Sequence, residues 1–310
     1  MRIVCSRLEA DNVISLKLRA ADQKDLPGWT PGAHIDLLLP SGLTRQYSLC
    51  GDPADRHHYQ IAILREPNGR GGSMEAHDRL QVGQSVAIAG PRNAFELRPA
   101  KQYLFVAGGI GITPILAMVR HAESAGFAWK LIYGGRTRHS LAFMDELLPL
   151  GEDKITIVPE DVKGWIDIAA VHRAAEHGDE VYACGPAGML DALEASFAAS
   201  GRRDQLHMER FSAKPPAPVA GDGVIRVFLS RKGVHVDVPP DMTVLAALRA
   251  AGHDLPSSCE QGICGTCETR VLDGVPDHRD SLLTEAERAS NSCMMPCVSR
   301  AKSPTLTLDV

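Results

Sequence analysis

The chain has 310 residues, a mass of 33.4 kDa and a formal net charge of −5. That length favours two or three domains, and 44% hydrophobic with 23% charged residues is an ordinary globular composition, which excludes disorder, collagen and coiled coil as the overall class. A pI near 6.2 leaves no basic field for a nucleic-acid backbone, and no stretch reaches the roughly 20 apolar residues of a membrane span.

The first residues carry Arg2, Arg7, Glu9 and Asp11 with no apolar run, so no secretory signal is read. A cytoplasmic location is expected, where structural disulfides are disfavoured. Residues 1–98 read as β. Val13–Leu18 and Gln60–Leu64 are short apolar or alternating runs, punctuated by Pro27-Gly28, Pro31-Gly32, Ser41-Gly42 and Asn68-Gly69. Many short strands with such turns predict a barrel or sandwich. Within it, Arg45-Gln46-Tyr47-Ser48 sits at a strand end, and Asn68–Ser73 is a glycine-rich loop after the strand ending in Ile63 and Leu64. The Tyr47 ring can lie on a flat cofactor. Arg45 with Gly71, Gly72 and Ser73 can hold a phosphate through charge-assisted bonds. Taken singly, each also reads as a turn or a core tyrosine.

Residues 99–211 change rhythm. Strands at Tyr103–Ala107, Lys130–Tyr133, Ile155–Val158 and Val181–Cys184 alternate with helices at Ile115–Ala125, Leu141–Leu148 and Ala187–Ala199. That alternation predicts a parallel α/β sheet. Gly108-Gly109-Ile110-Gly111-Ile112-Thr113-Pro114 follows a buried strand and opens a helix, with Thr113 expected at the N-cap and Pro114 at the first helical position. The third glycine of the dinucleotide fingerprint is absent, and the motif alone is weak. Cys184-Gly185-Pro186 repeats the strand–turn–helix arrangement later in the sheet, which fits a ligand lying across the strand ends. Arg136 and Arg138, after the second strand, read either as nucleotide-phosphate contacts or as a solvated pair.

Residues 212–223 are rich in proline and read as a semi-rigid linker. From 224 on, strands at Ile225–Leu229 and Val234–Val238 and a helix at Val244–Ala251 lead into Cys259-x4-Cys264-x2-Cys267. With a distant fourth cysteine this is the plant-type [2Fe–2S] spacing: three thiolates on one tight loop wrap the cluster and a fourth closes it. Zinc sites carry two C-x2-C pairs, and only one is present here. Cys293 and Cys297 are both within reach as the fourth ligand. His34, His207 and His278 stand in no recognisable ligand spacing and read as surface or core histidines.

The R-x-Y-S, G-G-I-G-I-T-P, C-G-P and cysteine-loop motifs occur in that order over essentially the whole chain. The chain thereby resembles the ferredoxin–NAD(P)H reductase superfamily with a C-terminal ferredoxin domain, in the branch of phthalate dioxygenase and vanillate O-demethylase reductases. The resemblance implies a multidomain chain: an antiparallel β-barrel flavin domain (1–98), a parallel α/β nucleotide-binding domain (99–211) and an α+β, β-grasp ferredoxin domain (224–310). It implies FMN, NADH and [2Fe–2S] as cofactors, a Rieske-type terminal oxygenase as transient partner, and a monomer.

By motif it places Arg45, Gln46, Tyr47, Ser48, Ile63, Leu64, Gly71, Gly72 and Ser73 at the flavin. Thr113 comes near the flavin from the nucleotide domain, and Gly109, Gly111, Cys184, Gly185 and Pro186 are expected at the nucleotide, with Arg136 and Arg138 as candidate contacts to its phosphate or ribose. The segment at Cys297–Ser303 matches the family at the fourth cluster ligand, which favours Cys297. Ser48 is then expected to donate to flavin N5, Cys184 to lie near nicotinamide C4, and Phe211 to cover the flavin and give way to nicotinamide. NADH delivers two electrons and an oxygenase takes them singly, so the cofactors carry the chemistry and no general acid or base is expected. The competing readings are a reductase serving another acceptor and a redox-sensing protein without turnover.

Overall fold

In the computed structural model, residues 1–175, 178–211 and 223–310 are described. The linker expected at 212–223 falls, except for its last residue, outside them. The chain divides into two compact units, Met1–Arg210 and Phe211–Val310.

The first unit opens with β1 (Arg2–Ala10), β2 (Val13–Arg19), β3 (Ala33–Leu38), β4 (Thr44–Ser48) and β5 (His58–Leu64), then helix α1 (Gly72–Arg79) and β6 (Ala87–Asn93). They form two three-stranded antiparallel sheets, β1-β2-β5 and β4-β3-β6. Leu49 joins them, bridging to Ile61 while its N–H donates to Ala33 O at 2.8 Å. Alternation puts Leu16, Leu18, Ile35, Leu37, Ile61 and Ile63 inward, and together with Trp29 and Tyr59 they fill the barrel. The segment read as a glycine-rich loop becomes helix α1 from Gly72 onward. Gly71 and Gly72 mark the start of that helix, where a left-handed cap at Gly71 (φ 80°) turns the chain into it.

The alternating half follows as β7 (Gln102–Gly108), α2 (Ile112–Ser124), β8 (Ala128–Gly135), α3 (Met144–Gly151), β9 (Ile155–Pro159), α4 (Glu160–Lys163), α5 (Ile168–Ala174), β10 (Glu180–Cys184), α6 (Ala187–Ala199) and β11 (Leu206–Glu209). The sheet order is β11-β10-β7-β8-β9 and every pair is parallel. The order reverses between β7 and β10, so a crevice opens at their C-terminal ends. Two boundaries differ from expectation. A 3-10 turn at Gly109–Gly111 runs straight into α2, so the cap falls at Gly111, and Thr113 and Pro114 lie inside the first turn. Helix α3 starts at Met144, three residues late, because Phe143 holds a left-handed backbone at φ 61°. The two lobes share apolar packing. Ala117 of α2 enters the barrel core, and Val13, Cys50 and Ala62 of the barrel join the nucleotide-lobe core.

The second unit contains β12 (Ile225–Leu229), β13 (Val234–Val238), α7 (Val244–Ala250), β14 (Thr269–Asp273), β15 (Pro276–Asp277), α8 (Glu285–Ser290), β16 (Cys293–Met294), β17 (Arg300–Ala301) and β18 (Thr305–Leu308). Its mixed sheet runs β13-β12-β18-β14-β16, with parallel β12 and β18 at the centre and α7 packed against β13 in one core, the β-grasp arrangement. Thr243 caps α7 by accepting from Ala246 N–H at 3.1 Å, and a Thr284–Glu287 capping box starts α8. Among the described residues no helix is long and apolar enough to cross a membrane.

Candidate electron-transfer site

At the crevice, glycine is required by contact. A side chain on Gly111 would place its Cβ 2.2 Å from Cys184 O, and one on Gly108 would meet Pro186 Cδ at 2.5 Å. Gly185 answers Gly108 across the gap, its own Cβ position lying 2.9 Å from the Gly108 backbone. The two strand–turn–helix mouths therefore close on each other at their glycines. Gly109 takes φ 54°, and Thr113, fully enclosed, donates its hydroxyl to Ile110 O at 3.0 Å. Pro186 caps α6. These bare turns leave the positive end of α2 open to close backbone approach, an arrangement that suits a pyrophosphate.

On the barrel side, β4 pairs with β3 so that Ser48 lies opposite His34 and Tyr47 opposite Ile35. Arg45 lies across Gly72, where a Cβ would sit 2.4 Å from the guanidinium Nε, and donates to Arg70 O at 3.0 Å. A cation thus stands over the uncapped N-terminus of α1, an arrangement that fits a phosphate. Ser73 accepts from Glu66 N–H at 3.0 Å, and its hydroxyl hydrogen is left for an acceptor. Burial pushes the Tyr47 hydroxyl up to about 12, with Arg45 opposing. Gln46 donates to Asp36 at 3.0 Å. Ile63 fills the barrel core and Leu64 is half-buried against the nucleotide-lobe core.

Barrel and crevice meet at three residues. Ser48 Oγ donates to Glu209 Oε2 at 3.3 Å, and Glu209 is the register partner of Cys184 across β10 and β11. Glu209 keeps some surface as a residue while its carboxyl group is enclosed; burial pushes that carboxyl up to about 8, against the pull of the Ser48 bond. The fully buried Cys184 thiol is raised well above the ordinary thiol range, first by burial and then by the Glu209 charge. Arg136 and Arg138 are exposed just beyond β8, with Arg136 O accepting from Asp161 N–H at 3.1 Å. Phe211 opens the second unit and is 40% exposed.

In the second unit Cys259, Cys264, Cys267 and Cys297 are all buried and fall into two pairs. Cys267 Sγ and Cys297 Sγ lie 3.2 Å apart, and Cys259 and Cys264 hydrogen-bond to each other. No three of these sulfurs come within 4.8 Å of one another. Four thiolates on one zinc, each at about 2.3 Å, would sit about 3.8 Å apart all round. Two facing pairs fit two irons instead. Gly262 (φ 68°) and Gly265 (φ 73°) make the loop possible, and a Cβ on Gly262 would meet Val298 at 2.5 Å. Gln261 N–H points at Cys259 Sγ at 3.3 Å, and backbone at Ile263 and Gly262 serves Cys259 and Cys297. Each bond lowers one thiol of its pair and raises the other: Cys264 and Cys267 lie below the ordinary thiol range, Cys259 and Cys297 above it. Cys293 pairs instead with Arg270 on β14, and burial followed by the Glu268 charge pushes it up to about 11.

Comparison with known proteins agrees with this layout. Residues 227–302 match the 2Fe-2S iron-sulfur cluster binding domain, and residues 105–195 the oxidoreductase NAD-binding domain. The chain is 43% identical over its full length to phenoxybenzoate dioxygenase subunit beta of Ectopseudomonas oleovorans, covering 97% of that protein. It is 42% identical to a vanillate O-demethylase oxidoreductase of Pseudomonas sp. (strain HR199 / DSM 7063), covering 99% of this chain and 98% of the relative. The structure of phthalate dioxygenase reductase, described as modular for electron transfer from pyridine nucleotides to [2Fe-2S], superposes with a TM-score of 0.73 at 35% identity, covering 100% and 97% of the two chains. The chain belongs to the phthalate dioxygenase reductase family. An intact type IV self-sufficient cytochrome P450 monooxygenase also superposes on all of it, with a TM-score of 0.92 at 43% identity, and this chain spans 40% of that longer protein.

For a reductase of this family, the structure brings Ser48, Cys184 and the crevice glycines together, and gathers the four candidate ligands Cys259, Cys264, Cys267 and Cys297 in the second unit. The family resemblance extends to Glu209-Arg210-Phe211, but it gives a role to Phe211 alone and none to Glu209. The signal was its place at the C-terminal end of an edge strand beside the Cys184 strand, and only strand order reveals that.

Proposed function

We propose that this reductase serves a two-component oxygenase, taking electrons from NADH through FMN and [2Fe–2S] to a Rieske-type terminal oxygenase. The observation that carries the reading is the meeting of Ser48, Cys184 and Glu209 where the barrel strand end faces the nucleotide crevice. The flavin, when bound, supplies the exchange of two electrons for one, and the cluster carries them singly. Residues 1–98 are assigned to the flavin, 99–211 to the nucleotide and 224–310 to the cluster, with 212–223 as the link.

Arg45, Gly71, Gly72 and Ser73 hold the flavin phosphate, Gln46 and Tyr47 line the ring, and Ile63 and Leu64 back it. Gly109 and Gly111 set the pyrophosphate, Thr113 comes near the flavin from the nucleotide lobe, Arg136 and Arg138 take the ribose end, and Gly185 and Pro186 the nicotinamide side, with Cys184 as a small apolar contact. At pH 7 the Glu209 carboxyl keeps its proton. It can then donate to Ser48 Oγ, which frees the single Ser48 hydrogen for the flavin. Cys259, Cys264, Cys267 and Cys297 ligate the cluster. The protein acts in the cytoplasm as a monomer.

The test is an anaerobic absorbance spectrum before and after stoichiometric NADH, repeated with NADPH. Overlapping flavin and iron–sulfur bands that bleach with NADH support the reading. Absence of iron–sulfur absorption after reconstitution refutes it. The P450 likeness supports a second acceptor: if the reduced protein is reoxidised by a P450 haem domain and not by a Rieske oxygenase, the partner changes and the rest stands.

A further inference from the structure

Helix α2 begins at the crevice and ends against the barrel. Thr113, Ala117 and Arg120 are spaced i, i+4 and i+7, so they share one face. Ala117 packs into the barrel core, and Arg120 stands about 10 Å along the axis from Thr113. Arg120 Nη1 donates to Cys50 O at 2.5 Å, and Nη2 donates to Glu146 on α3. Cys50 is two residues beyond Ser48. The segment between them is fixed in the barrel by Leu49 N–H to Ala33 O (2.8 Å) and Cys50 N–H to Gln60 O (2.9 Å).

Arg7 on β1 closes the loop from the barrel, reaching Glu146 at 3.5 Å and pairing with Asp145. Arg120 and Glu146 are largely enclosed, at 20% and 24% side-chain exposure. The apolar contacts between the lobes are non-directional. A guanidinium held at both ends adds a directed tie, because its donors form a rigid fork. Hydride transfer needs reacting atoms about 3–3.5 Å apart.

We propose that Arg120, clamped by Glu146, is a positioning residue that sets the spacing between the Ser48 strand end and the nucleotide crevice, and so the approach of nicotinamide to flavin. The inference rests on the NADH–flavin reading above. It is tested on the holoprotein by anaerobic stopped-flow bleaching against NADH concentration, which separates the limiting rate from the apparent Kd. The long-wavelength charge-transfer absorbance of the flavin–nicotinamide complex reads stacking without turnover.

Arg120→Ala should lower the limiting rate about 10- to 100-fold and weaken the charge-transfer band, with Kd within about threefold. Arg120→Lys, which keeps the charge on a single nitrogen and so cannot span both partners with a fork, should recover part of both. Glu146→Gln should fall between, and it decides by the same criteria if Arg120→Ala does not fold. A limiting rate and band unchanged within about twofold, or a loss confined to Kd, overturns the inference alone. Wild-type protein that NADH does not reduce overturns the functional reading, and the inference with it.

Discussion

Glu209→Gln tests the enclosed carboxyl. Burial moves this group from 4.5 to about 8, so between those values the folded protein binds more protons than the unfolded chain. Stability must therefore fall as pH rises through that window, and the penalty disappears below about 4.5. At pH 7, about 1.4 kcal/mol for each pH unit above 4.5 gives about 3 kcal/mol; at pH 5 it gives less than about 1 kcal/mol. Water reaching the exposed part of the residue would shrink both figures and leave the direction intact. Glutamine has no proton to lose and can keep the Ser48 bond. The variant should unfold about 6–12 °C higher than wild type at pH 7, at roughly 2–4 °C per kcal/mol for a unit of this size, and the gain should shrink steadily towards pH 5. Thermal scans by circular dichroism across pH 5–8 measure it. A difference that is constant with pH, or that grows towards acid, would refute the neutral enclosed carboxyl. Reduction by NADH should likewise decline above about pH 8 in wild type and stay level in the variant.

Cys297→Ser should abolish the iron–sulfur bands of the purified protein while Cys293→Ser retains them, because only Cys297 pairs with Cys267; the reverse pattern in the absorbance spectra would reassign the ligand. Gly111→Ala forces a Cβ into the Cys184 carbonyl and should cost about 1–3 kcal/mol of stability, read as a fall in Tm, together with at least tenfold in NADH affinity by titration. Arg45→Ala removes the cation over α1 and should weaken FMN binding by roughly 10- to 100-fold, the worth of about 1.5–3 kcal/mol of charge-assisted bonding. Equilibrium fluorescence of the released flavin measures that loss.

The cluster loop was legible because its chemistry is local: Cys259, Cys264 and Cys267 sit within nine residues, so their spacing fixes their geometry. The parallel lobe was legible from alternation, and Ala187–Ala199 falls as a helix on the expected residues. Cap chemistry misled at α2. Thr113 and Pro114 are good helix starters, yet the preceding glycines can enter a 3-10 turn and begin the helix sooner. The loop expected at 68–73 takes in the first two residues of helix α1, because these are glycine and serine; the helix packs against β5, a contact that propensity does not encode. Glu209 and Arg120 were out of reach for a different reason. Each takes its meaning from a partner about 70 to 160 residues away, and no spacing along the chain encodes that.

The uneven exposure of the thiols turns the cysteines into an internal gauge. Cys5 alone is exposed, Cys293 is intermediate, and Cys50 and Cys184 are sealed within the first unit. An alkylating reagent should therefore find one fast thiol on loaded protein. Four more become candidates once metal is lost and the loop 259–267 loosens. Counting fast-reacting sulfhydryls before any spectrum is recorded reports what fraction of a preparation carries its full complement of iron.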